Sequence, residues 1–317
     1  MALMTRKLTL LTILLGLSVA AALPPAASAA VTVGVGDQSW GGANFNDPHF
    51  KALGLRRARV VTPWNVALSP GNRQWLDKYL YGARVAGVEP LVSFGAADRS
   101  ACPKRPCKLP TTREFTRAFR AFRARYGWVS TIGVWNEANH RSQPTFRYPE
   151  QAARYFNIVR KYCRGCRVVA ADVIDDPNMV RWLGRFRKVA RGAHLWGLHN
   201  YRDSNPRRGQ RYGGTKLLLR TVRGKVWLTE TGGIVQFVLP DGRTLFPYSE
   251  RRANLAIGRV LRLARAYRKR IERLYVYHWR QDAFDNRFDA GLLNKDGKPR
   301  ASFYTLERWL KTPWFTT

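Results

Sequence analysis

The sequence predicts a single (β/α)8 barrel, and three observations carry that prediction. Short apolar or β-branched runs alternate with amphipathic, arginine-rich stretches through eight strand–helix units. The runs are continuously apolar, as in parallel strands covered on both faces. Strands that alternate with helices imply parallel pairing through crossovers. The 317 residues, less thirty at the start, match the ~250 residues typical of such a barrel. A doubly wound open sheet is the alternative. It would favour a glycine-rich phosphate turn after the first strand, and "GVGDQSWGG" contains no G-x-G-x-x-G.

Taken in order, "VTVGVG" at 31–36 is the first strand, and a short helix near 50–53 precedes "RARVV" at 57–61. A helix over 73–87 stops at Gly87. "EPLVSFG" at 89–95 is the third strand, followed by a helix that Thr111 or Thr112 caps, with Phe115, Phe119 and Phe122 at helical spacing for the core. Strand four, about 130–136, precedes a helix beginning at Pro149, and strand five covers 166–173. The remaining strands are 193–201, 225–233 and 274–282, each followed by a helix, the last being "SFYTLERWLK". No linker or longer repeat interrupts them, so residues 31–317 read as one domain.

Residues 1–30 read as a secretory signal. Arg6 and Lys7 precede an apolar stretch that ends at Ala27-Ser28-Ala29. The apolar core is short for a bilayer span, although an uncleaved anchor is the alternative. A secreted, soluble monomer is expected, with no membrane association once the signal is removed. Four cysteines lie in two close pairs, Cys102/Cys107 and Cys163/Cys166. Export favours disulfides and proximity favours the two local pairings; a four-thiolate zinc site is the rival. Lys and Arg number 55 against 21 acids, a formal +34. Such a field attracts polyanions. The bases are spread over every helix, however, with Arg exceeding Lys, so general composition accounts for the charge at least as well as an anionic partner does. Nucleic-acid binding would rest on charge alone, with no recognisable module, and conflicts with export.

The chemistry concentrates at strand ends, which form the active face of a barrel. Strand four, "TIGVW", runs straight into Asn136-Glu137, and strand seven ends in Glu230 within "LTETGG". A carboxylate is costly to bury unpaired, so each must meet water, a partner or a substrate. Of the eight glutamates only these two terminate apolar strands. Three βα units separate them, which sets them on facing sides of the barrel mouth. Two facing carboxyls suit glycoside hydrolysis, one donating a proton and the other attacking the anomeric carbon. Closeness of like charges is expected to raise one pKa and leave the other low. The competing reading is a structural ion pair with an arginine such as Arg59 or Arg280.

"VWNEANH" and "WLTETGG" resemble the two signatures of clan A glycoside hydrolases, retaining glycosidases on this barrel. The resemblance spans the whole chain as an ordered set of strand ends, with close identity confined to the motifs. It implies Glu137 as acid/base, Glu230 as nucleophile, and Asn136 as a partner of the sugar 2-hydroxyl. It also implies that Arg59 steadies the nucleophile, that His199 or Tyr201 on strand six contacts it, and that Trp279 floors the sugar site. Asp37 and Trp64 are further candidates for substrate contact, and Trp40 and Trp135 are weaker ones. "NEANH" carries alanine where many members have proline. The expected substrate is an oligo- or polysaccharide, with an anionic one within reach of the basic surface. No metal or cofactor is required by this chemistry. A non-catalytic barrel that binds wall or anionic glycans is the alternative reading.

Overall fold

The structure is a computed structural model that describes residues 30–37, 41–98, 102, 106–207, 213–282 and 287–317. The segment read as an export signal and Trp40 lie outside them. Eight parallel strands form the barrel: β1 (Val31–Gly36), β2 (Arg57–Pro63), β3 (Glu89–Gly95), β4 (Thr131–Gly133), β5 (Arg167–Val169 and Asp172–Ile174), β6 (Leu195–His199), β7 (Lys225–Thr231) and β8 (Ile271–Tyr277). Strand β8 closes the ring against β1, with Thr32 opposite Arg273 and Gly36 opposite Tyr277. The two halves of β5 are one strand interrupted at Ala170-Ala171. Hydrogen bonds from Ala170 N to Leu195 O (2.8 Å) and from Gly197 N to Ala171 O (2.9 Å) carry the ladder to β6 across the gap.

The outer ring comprises α1 (Pro48–Ala52), α2 (Pro70–Val85), α3 (Thr112–Arg125), α4 (Pro149–Tyr162), α5 (Met179–Val189), α6 (Gly214–Thr221), α7 (Glu250–Ala266) and α8 (Ala301–Leu310). Thr111 is the cap of α3: its hydroxyl accepts from Glu114 N, and Glu114 Oε2 accepts from Thr111 N at 2.7 Å. This reciprocal pair satisfies two otherwise orphaned N–H groups. Phe115, Phe119 and Phe122 are buried against Phe94 of β3. Each fully buried phenylalanine contributes about 1.5–3 kcal/mol of transfer free energy, so this face, more than helix propensity, fixes α3 to the sheet.

The barrel interior is separate from that outer core. Leu91, Val169, Leu195, Trp227 and Tyr275 fill its middle. Below them, Arg273 Nη1 donates to Glu89 Oε1 at 2.7 Å. Above them the lining turns polar. Gly197 is required there, since a Cβ would overlap Asp172 Oδ1 and Thr229 Oγ1.

Two features were not anticipated. A three-stranded antiparallel sheet, Thr244–Phe246, Gln236–Val238 and Phe288–Asp289, stands over the mouth beside β7 and β8. The segment Phe315–Thr316 adds to the lower end of β1, with Val31 opposite Phe315. Strand β8 also begins earlier than expected and ends at Tyr277, two residues short of Trp279.

Candidate active site

The upper ends of five strands, β2, β4, β5, β6 and β7, converge on one charged cluster. Arg59 of β2 is 1% exposed at its side chain and reaches across the barrel. Its Nη1 donates to Glu230 Oε2 at 2.9 Å, and its Nη2 donates to Asn136 Oδ1 at 2.5 Å and to Asp172 Oδ2 at 2.9 Å. The planar fork of a guanidinium permits three such contacts at once. Thr229 of β7 donates a further bond to Asp172 Oδ1.

His199, at the end of β6, is the hub of the second layer. Its Nδ1 lies 3.2 Å from Glu137 Oε1 and 3.7 Å from Glu230 Oε2, and its Nε2 lies 3.3 Å from Asp172 Oδ1. Since both glutamate oxygens fall within 3.7 Å of one nitrogen, the two carboxylates cannot stand further apart than twice that radius. Tyr201, in the short helix after β6, donates its hydroxyl to Glu230 Oε1 at 3.1 Å. The two strand-six candidates therefore do not compete: His199 hydrogen-bonds Glu137 and also faces Glu230, and Tyr201 hydrogen-bonds Glu230 from the other oxygen.

Glu137 follows β4 on a tight turn in which His140 N donates to Glu137 O at 2.7 Å. Its φ of 46° makes it the sole non-glycine residue with positive φ among the described residues. That left-handed conformation is unfavourable for an L side chain and is characteristic of functional positions. Here it aims the carboxylate toward His199.

Electrostatics follows from these contacts. Burial lowers the His199 pKa, but the Glu230 and Asp172 carboxylates outweigh it and push it up to about 10. Burial would raise Asp172, yet His199 and Arg59 hold it well below the usual carboxylate range. Burial likewise acts to raise Glu137, and the hydrogen bond and charge of His199 reverse the direction, leaving it below its ordinary value. The expectation that like-charge repulsion would raise one member of the glutamate pair is thus not met for Glu137, because a cation stands between the two acids. Half-buried Tyr201 is pushed up by desolvation and by Glu230.

Both glutamates open onto one cavity of about 1070 Å³. Their side chains are 23% and 14% exposed, whereas Asp172 beneath them is 0% exposed. Tyr277, Phe288, Phe237 and Phe246 wall one side, and His140, Arg141, Phe146 and Asn178 the other. Apolar walls around convergent polar groups are the usual make-up of a small-molecule site.

No protein-family model matches the sequence, and no curated protein does. Solved structures do. A xylanase B from Clostridium stercorarium F9 shares 13% identity over 87% of this chain and 96% of its own, with a TM-score of 0.59. A GH10 xylanase from Thermobacillus composti shares 15% over 88% and 96%, with a TM-score of 0.63. A β-glucosidase from Thermotoga maritima, solved with noeuromycin, shares 13% over 88% and 88%, with a TM-score of 0.58. The chain has the barrel fold of the clan A glycoside hydrolases. At such identities the likeness to these clan A structures is one of fold, and the site must be judged on its own residues.

Four sequence candidates outside the charged cluster are not among the residues lining the cavity. Trp279 is 0% exposed, packed edge-on against Phe50 and Phe303, with its indole N–H donated to Asp47 at 3.3 Å. It cannot floor a sugar site; Tyr277, the last residue of β8, faces the cavity instead. Asp37 is buried, and its Oδ2 accepts from the backbone of Trp279 and Arg280 at 3.2 Å each. Those bonds fasten the end of β1 to the segment after β8. Trp64 is half-buried, stacked on Phe115 at 6.5 Å against the edge of the core, and Trp135 is buried beside Tyr155. The cysteines form the two local disulfides, Cys102–Cys107 and Cys163–Cys166, as expected.

Sequence reasoning missed Asp172 and the cavity wall. Asp172 sits in "VVAADV", and an aspartate inside an otherwise apolar strand signals a buried partner. The wall was readable in "QFVLPDGRTLF", where Asp-Gly separates two apolar runs, a hairpin signal.

Proposed function

We propose that this protein is a retaining glycoside hydrolase acting on a carbohydrate bound in the barrel-mouth cavity. The observation that carries the reading is the meeting of Glu137 and Glu230 at a single nitrogen of His199, on the wall of one cavity. Glu230, steadied by Arg59 and Tyr201, attacks the anomeric carbon and forms a glycosyl ester. Glu137 delivers a proton to the departing oxygen and then takes one from water. Asn136, held by Arg59, faces the sugar beside the acid.

The proton economy of the site suits this scheme. Glu137 and His199 share a hydrogen bond of 3.2 Å, and such a coupled pair titrates as a unit. In the free protein the proton resides on the imidazole, whose pKa stands near 10. Entry of substrate displaces water from Glu137 and favours its neutral form, so the proton can cross from Nδ1 to Oε1 before the leaving group departs. His199 thus supplies Glu137 without touching the sugar.

Export is part of the same proposal. Two disulfides suit an oxidising compartment, and among the described residues no helix is long and apolar enough to cross a membrane. Residues 1–30 would then be the address and residues 31–317 the catalytic domain.

The deciding experiment uses Glu230→Gly with nitrophenyl glycosides. Loss of turnover, with partial recovery and an azide adduct when azide is added, is expected. Undiminished turnover without azide would remove Glu230 from the role.

A further inference from the structure

We infer that the cavity continues into a cationic groove which seats additional units of an acidic polysaccharide; the inference rests on the glycosidase reading above. Beyond the glutamate pair the cavity runs toward the turn Pro144–Arg147 that follows Glu137. Two more hollows, of about 730 Å³ and 430 Å³, open beside that turn. Phe146 borders all three spaces. Arg141 joins the first to the larger hollow, and Asn178 joins it to the smaller one. The three form one continuous depression that starts at the carboxylates.

The lining of the two outer hollows has one sign. It contains Lys108, Arg141, Arg147, Arg181 and Arg185 and no aspartate or glutamate. Arg185 is neutralised by Glu150, with its Nε 2.7 Å from Oε1. Arg141, Arg147 and Arg181 make no hydrogen bond or ion pair among the described residues. Other arginines are engaged: Arg125 with Asp77, Arg167 with Glu272, Arg57 and Arg273 with Glu89. Three uncommitted guanidiniums around a concave surface present planar forks suited to carboxylate, sulfate or phosphate groups.

The groove also offers ring platforms. Tyr148 is 53% exposed on its rim, and Phe146 lies between the hollows. Apolar sugar faces pack on such rings, while the cations meet substituents at the ring edge. A neutral glycan would leave the arginines unused. Continuity with the carboxylate pair argues for a glycan over other polyanions.

The test uses the full chain carrying Glu230→Gln, which holds polymer without cutting it. Binding to hyaluronan, to dextran sulfate and to uncharged dextran is measured at about 150 mM salt, where distant charges are screened. The charged polymers are expected to bind and dextran to bind far more weakly. Preference for hyaluronan over dextran sulfate assigns carboxylate as the recognised group, and the reverse order assigns sulfate-type anions. Arg141→Gln/Arg147→Gln/Arg181→Gln is expected to weaken binding about tenfold, as for partly exposed charge contacts acting together. Arg117→Gln/Arg220→Gln/Arg262→Gln removes the same charge from exposed helix surfaces and is expected to change binding less than about twofold. Equal loss in both triples would reduce the effect to the overall field and overturn the groove. Dextran binding as tightly as the charged polymers, or duplex DNA binding more tightly than either, would overturn the acidic-glycan assignment. None of these readings requires turnover. A chain that binds as expected yet cleaves no glycoside therefore fails the proposed function alone, and one that cleaves neutral glycosides but ignores polyanions fails this inference alone.

Discussion

Arg59 and Glu230 lie 171 positions apart in the chain, and their side chains meet at 2.9 Å inside the barrel mouth. The same guanidinium also holds Asn136 and Asp172. A salt link to Glu230 was the structural alternative to catalysis. Here the link forms at the cavity, fixes the carboxylate's orientation and leaves its other oxygen to Tyr201.

Arg59 therefore tests the organisation of the whole site. Arg59→Lys keeps the charge but loses the fork, so kcat/KM is expected to fall about 100-fold through misplacement of Glu230, with the circular dichroism spectrum retained. Arg59→Met removes one of the two cations that face buried Asp172, leaving only His199, and is expected to cost about 3–5 kcal/mol in urea unfolding. Full activity in Arg59→Lys would show that Glu230 needs no such support.

Tyr201→Phe removes one donor from Glu230 and nothing from the barrel core. A hydrogen bond to a charged group is worth about 1.5–3 kcal/mol, so kcat/KM is expected to drop by about one to two orders of magnitude. The melting temperature should change little. A loss of stability equal to the loss of activity would mean that the tyrosine supports the fold instead.

His199 makes stability depend on alkaline pH. Its folded pKa of about 10 lies above the ordinary 6.5. The stabilisation it provides is therefore complete below the lower value and disappears as pH climbs through the upper one. Wild-type protein should lose stability steadily over that window in denaturant titrations, and His199→Gln should lose it less steeply. Parallel slopes would contradict the charged imidazole.

Asp175 acts with the same sign and a different origin. Burial, reinforced by Asp203, raises its pKa to about 7 from 3.8. Its Oδ2 accepts from Arg202 N at 3.0 Å, while its Oδ1 finds no partner among the described residues. The protonated form is the one that suits the folded state, so stability falls as pH rises from the lower value through the upper one. Asp175→Asn should raise the melting temperature near pH 8 and leave it nearly unchanged near pH 4. No gain at the higher pH would show that water or substrate compensates the carboxylate.

Much of this could be read in advance, for a physical reason. A buried parallel strand is an unbroken apolar run, so an acid at its end stands out. Glu137 and Glu230 were visible in that way, and Arg59 was visible as a charge embedded in "RARVV". What failed was phase. Side chains alternate faces along a strand. Tyr275 and Tyr277 of β8 point inward, and the strand ends before Trp279, so that indole went into the outer packing. Asp37 stands at the end of β1 yet is turned onto the backbone of Trp279 and Arg280, because nearness to a strand end does not by itself give access to the cavity. Asp172 was passed over since its partners, Arg59, Thr229 and His199, come from three other strands.

The pairing of Val31 with Phe315 has a practical reach. It anchors the tail on the underside of the barrel, at the opposite pole from Glu137 and Glu230. A tether or bulky reporter joined beyond Thr317 would hang from that lower pole, so the protein could be fixed to a surface with its mouth turned toward the solution.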